Sequence, residues 1–219
     1  RWKMLLDIAK QNGFRLVLPD ELRRHHKLED EHKEDDHEGE DYGHEHEWPD
    51  PHIWLDTENA AIQVRNIVDA LVSIDPDQDQ FYTEKAWKYT KKILDLDTDL
   101  RQLFSGSDIA PFVVFHDAYQ YFLQSYGLAD KQVWLVQEFH GDNPSQQEIA
   151  DLIATIESEN VAVIFTEPQF SPSMVEALEK ETGVVAREVD PLGAELSADA
   201  YLEMMRALGI SFSQQDVDG

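Results

Sequence analysis

A chain of 219 residues with a formal net charge of −27 and no cysteine suits one large domain or two small ones, and it can form neither a disulfide nor a cysteine-based zinc cluster. So acidic a surface repels nucleic acid and anionic membranes and concentrates cations. Hydrophobic residues make up 42% of the chain, enough for a core, and no apolar run reaches membrane-spanning length.

Trp2, Leu5, Leu6 and Ala9 recur at helical spacing within residues 1–12. This start reads as an amphipathic helix and not a signal peptide, so either the protein is cytosolic or the chain lacks its natural N-terminus. Phe14 to Pro19 reads as a short strand stopped by proline. Residues 23–47 are charged and almost free of aliphatic side chains, which predicts a disordered loop. From Glu29 to Asp50, twelve Asp/Glu stand against one Lys, so this tract carries −11 of the −27 and leaves −16 for the rest.

The tract also holds His32, His37, His44 and His46, and it runs into Asp50-Pro-His-Ile-Trp-Leu-Asp56, which contains His52. Imidazole and carboxylate together are the ligand set of Zn²⁺ and its borderline neighbours. A flexible loop loses conformational entropy when it wraps a metal, so sites in the tract are expected to be weaker than a preformed cleft.

Asp56 or Thr57 can cap a helix through about Ser73, with Ala60, Ala61, Val64, Ile67, Val68 and Leu71 on one face. Asp75-Pro76 restarts the chain. Phe81, Ala86, Tyr89, Ile93, Leu96, Leu100 and Leu103 then predict a glycine-free helix over 77–104, long enough to act as a strut, ended by Ser105-Gly106-Ser107. Beyond it strands and helices alternate. Strands are expected at Pro111–Phe115, Gln132–Val136, Val161–Phe165 and Val184–Val189. Helices are expected at Asp117–Tyr126, Ser145–Ser158 (with a Ser145/Glu148 capping box), Ser173–Glu181 and Ala198–Leu208. Apolar strands separated by helices imply a parallel sheet covered on both faces, with ligands at the carboxyl ends of its strands. His116, Glu167 and Asp190 each lie just past one of those strands.

Four segments now carry a resemblance. Asp-Pro-His-Ile-Trp-Leu-Asp (50–56), Phe-His-Asp-Ala-Tyr-Gln-Tyr-Phe (115–122), Phe-Thr-Glu-Pro-Gln-Phe (165–170) and Val-Asp-Pro-Leu-Gly (189–193) occur in this order. Together they resemble the metal-binding receptors of ABC importers, the solute-binding proteins for zinc and manganese, and above all the zinc receptors with a His-rich acidic loop. The resemblance covers nearly the whole chain. It implies two α/β lobes with parallel sheets, joined by one long rigid helix, with metal held in the cleft between them.

On that reading residues 1–22 are a remnant of the N-terminal lobe, and 23–49 the His/acid-rich loop. Residues 50–73 carry the cleft motif and its helix, 74–106 the linking helix, and 107–219 the C-terminal lobe. Most of the N-terminal lobe, with its export signal and a first ligand histidine, is expected to be missing, so the chain reads as a fragment of a longer receptor. The family's remaining ligands map onto His52, His116 and Asp190. Glu167 is expected to orient a ligand imidazole, and the tract histidines become accessory sites.

Histidine at position 116 resembles the zinc receptors, where manganese receptors usually carry glutamate, and nitrogen ligands suit Zn²⁺. The implied function is capture of Zn²⁺ and its delivery to a membrane permease, by a monomer on the outer face of the membrane, periplasmic or extracellular. Three alternatives remain. One is a receptor for manganese or another divalent metal, and one an adhesin-like relative. The third is a zinc hydrolase, against which stands the absence of an HExxH helix. The resemblance implies a binding protein and not an enzyme.

Overall fold

The computed structural model describes residues 11–14, 50–137, 146–193 and 196–213. The expected first helix (apart from its end), the expected strand from Phe14 on (apart from Phe14 itself), the acidic tract with its four histidines, and Ser145 lie outside the described residues.

A 3-10 turn, Ile53–Leu55, leads into α1, Thr57–Ile74. The Asp56 side chain caps α1 by accepting from the Asn59 amide at 2.8 Å, the side-chain cap that the sequence suggests. Pro76 opens a second 3-10 turn, and α2 follows as an unbroken helix over Asp79–Phe104. Its 26 residues span about 39 Å at the standard rise, so the expected long helix is present.

The remaining elements are β1 (Phe112–His116), α3 (Gln120–Ser125), β2 (Gln132–Gln137), α4 (Gln146–Ser158), β3 (Val163–Thr166), α5 (Pro172–Thr182), β4 (Val185–Glu188) and α6 (Ala200–Ser213). All ladders are parallel, in the order β2-β1-β3-β4. The chain steps outward from β1 to β2, returns across the sheet to β3, and continues to β4. The strand order therefore reverses between β1 and β3, and a crevice opens at their carboxyl ends.

Side chains alternate across the sheet. Phe112, Val114, Val163 and Phe165 face a core built with α2, α3 and α6, including Ile93, Leu96, Phe122, Met205 and Phe212. Val113, Phe115 and Ile164 face a second core with Leu152 and Ile156 of α4 and Leu178 of α5. Both faces are covered, which explains why the strands read as apolar runs instead of alternating ones. Gly209 lets α6 approach α2: a Cβ there would collide with the Leu100 side chain. A larger residue would push the two helices apart.

Several boundaries differ from expectation. α3 begins at Gln120 and not Asp117, because Ala118 N–H turns back to the His116 carbonyl at 2.9 Å. β3 begins at Val163, since the Val161 N–H turns back to the Ile156 carbonyl of α4. β4 spans only 185–188 and α6 runs from Ala200 on to Ser213. The apolar face expected on α1 is buried only near its start. Among the described residues Ile67 and Ile74 of α1, and Phe81, Trp87 and Leu94 of α2, stay more than half exposed.

Candidate metal centre

The two candidate histidines come from different segments of the chain. His52 stands before the Ile53–Leu55 turn. Its own side chain makes no capping bond there, so the imidazole is not consumed by the helix start. His116 is the last residue of β1, which aims it into the crevice between β1 and β3. The two rings meet with centroids 5.0 Å apart and planes at 81°.

Each ring has one nitrogen fixed. His52 Nδ1 lies 2.7 Å from Asp50 Oδ1, which also accepts the His52 backbone N–H at 2.8 Å. His116 Nδ1 lies 3.2 Å from Glu167 Oε1. Asp50, His52 and Glu167 are buried, and His116 is half-buried. Carboxylate behind imidazole is the arrangement that orients a metal-ligating histidine: it holds the Nδ1 proton and leaves Nε2 with its lone pair outward. Glu167 is itself held by the Gln169 side-chain amide at 2.6 Å. The hydrogen bond to Glu167 raises the His116 pKa above its ordinary value; burial opposes this, and the charges of Glu167, Asp117 and Asp50 add to it.

Asp190 lies just past β4, in the connection that leads to α6. Its Oδ1 accepts from the Leu192 amide at 2.8 Å. Tyr119 is buried beside these acids. Its phenol is held far above the usual range by burial first and then by Glu167 and Asp190. A cavity of about 350 Å³ opens beside Asp190, between the β4 end and α6, lined in part by Glu188, Glu203 and Met204; neither cleft histidine lines it.

The structure thus brings His52, His116 and Glu167 together and places Asp190 at the same sheet edge. Among the described residues no three imidazole or carboxylate groups converge tightly enough to enclose a metal ion. Sequence reading missed Asp50 and Gln169. Asp50 stands two residues before His52 across a proline, a local signal that was present in the motif. Gln169 stands two residues after Glu167 and carries no comparable mark.

A family model described as zinc-uptake complex component A, periplasmic, matches residues 3–214. A high-affinity zinc uptake system protein of Brucella abortus is 32% identical over 164 residues, covering 74% of this chain and 48% of its own length. The chain thus spans about half the length of the curated relatives it matches. A zinc-bound deletion mutant of ZnuA superposes with a TM-score of 0.64 at 29% identity, covering 78% of this chain and 62% of the other. The solute-binding protein FpvC of Pseudomonas aeruginosa, in complex with Mn²⁺, superposes with a TM-score of 0.66 at 26% identity, covering 76% and 63%. On the extent of these matches, the chain belongs to the family of the periplasmic component A of zinc-uptake complexes.

Proposed function

We propose that this chain captures Zn²⁺ for an ABC importer and releases it to the membrane permease. The observation that carries the reading is the paired imidazoles, each backed by a buried carboxylate, at the sheet's switch point. Two oriented imidazole nitrogens favour Zn²⁺ over a hard, oxygen-seeking cation. The metal is cargo here, so high affinity must coexist with a route to release. In this reading His52 and His116 bind zinc through Nε2. Asp190 supplies an oxygen directly or through water, and a group outside the described residues completes the shell. Asp50 and Glu167 orient the imidazoles, and the tract histidines act as weaker accessory sites.

The domain assignment belongs to the same proposal. α2 is the strut between two lobes, residues 107–219 form the C-terminal lobe, and the protein works as a monomer on the periplasmic or extracellular side. No step requires catalysis. A receptor for another divalent metal is the second reading, favoured by the fold shared with a Mn²⁺-bound solute-binding protein. Competition titration with a zinc chelator and with Mn²⁺ separates the two. Tight binding of Zn²⁺ that excess Mn²⁺ does not displace supports the zinc reading; preference for Mn²⁺ overturns it.

A further inference from the structure

Resting on the zinc-receptor reading, we infer that Trp54 is a positioning residue that ties the Asp190 loop to the His52 segment, so that the two halves of the site hold zinc as one unit. Trp54 makes three contacts, two through its indole and one through its backbone carbonyl. Its indole N–H donates to the Pro191 carbonyl at 2.8 Å, across 137 residues of sequence. Its ring meets the His52 imidazole edge-on with centroids 5.3 Å apart. Its own carbonyl accepts the Tyr201 hydroxyl at 3.0 Å, which anchors it to α6.

Pro191 directly follows Asp190, and Pro191 is buried while the next residue, Leu192, is 77% exposed. Further along, Gly193 adopts a positive φ of 80° and lies against Met204 of α6. The stretch after β4 is therefore held at its start by the Val189 N–H, which donates to the Thr166 carbonyl at 2.8 Å, at Pro191 by Trp54, and at Gly193 by close packing on α6. Removing the indole donor takes away the tie nearest Asp190 on its C-terminal side. The Asp190 carboxylate is then held less firmly relative to the His52 imidazole.

The test is a double-substitution cycle on zinc release, followed by chelator trapping in the intact chain. Trp54→Phe keeps an aromatic ring and deletes the N–H. It is expected to speed release by up to about tenfold, the reach of one neutral hydrogen bond. In an Asp190→Ala background the same change is expected to alter release by less than about twofold, the margin within which independent effects are indistinguishable. A residue that only supports the fold would multiply release by the same factor in both backgrounds, and that result overturns the inference. So does release from Asp190→Ala that equals the intact chain. If Trp54→Phe fails to fold, Tyr201→Phe, which removes one oxygen from the same latch, is measured in the same cycle with the same expected pattern. His116→Ala runs in parallel. If it retains zinc as the intact chain does, the receptor reading itself fails. If it loses zinc while both latch variants release it normally, only the present inference fails.

Discussion

His116 Nδ1 and the buried Glu167 carboxylate face each other at 3.2 Å across the β1/β3 crevice. Glu167 follows the strand beside the one that ends in His116. A single sheet edge therefore sets both the imidazole's direction and the charge behind it. His52 reaches the same point from the other side with its own carboxylate, Asp50, at 2.7 Å. Both imidazoles are thus oriented by carboxylates, and the following predictions depend on that.

Replacing Glu167 with Gln preserves size and removes the charge that holds the His116 proton. Zinc affinity should fall by about 10- to 100-fold, the usual cost of losing a ligand's outer partner. Isothermal titration of Glu167→Gln checks this. Unchanged affinity would assign Glu167 to folding alone.

Binding should weaken on acidification earlier than an unperturbed histidine would require. The hydrogen bond to Glu167 raises the His116 pKa, so protons compete with metal from above about pH 6.5 downward. The sign for stability is opposite. Without metal, the raised folded-state pKa makes protonated His116 stabilising; that contribution is complete below the unfolded value and is lost as pH rises through the folded one. Glu167→Gln should move the onset of zinc loss to lower pH. A zinc-binding profile that is flat from pH 7.5 to 5 would contradict imidazole coordination.

Asp56 caps α1 through Asn59 and also accepts the Ser125 hydroxyl at 2.9 Å, fully buried. It joins the His52 segment to α3. Asp56→Ala should destabilise the fold by about 2–3 kcal/mol, combining a lost cap with a buried bond. Urea unfolding measures it; a loss below about 0.5 kcal/mol, the range of ordinary surface changes, would show that the junction carries little.

His116→Ala should reduce zinc affinity much more than His44→Ala, because sites in the acidic tract are expected to be weaker than one built on a sheet edge. Equal losses in a chelator competition would place the primary site elsewhere.

The parts of this structure that were legible in the sequence are those governed by local pattern. Phe112–Phe115 read as a fully buried strand because every residue in it is apolar, and α2 read as one helix because nothing interrupts its spacing. His52, His116 and Glu167 were singled out by the rule for strand ends and by the motifs, and the structure brings them near one another. Less legible were features decided by distant partners. Strand β3 loses Val161 to the Ile156 carbonyl of α4. Asp50 gains its role only because the turn at Pro51 lays Oδ1 against both the amide and the ring of His52. The Trp54–Pro191 bond joins segments 137 residues apart, and no local pattern announces it.

The most direct test of the account is zinc stoichiometry and affinity in three proteins: the intact chain, a deletion of residues 28–47, and the His52→Ala/His116→Ala double variant. The account predicts one tight site that survives the deletion and disappears in the double variant. A tight site lost with residues 28–47 and retained without the two histidines would contradict it.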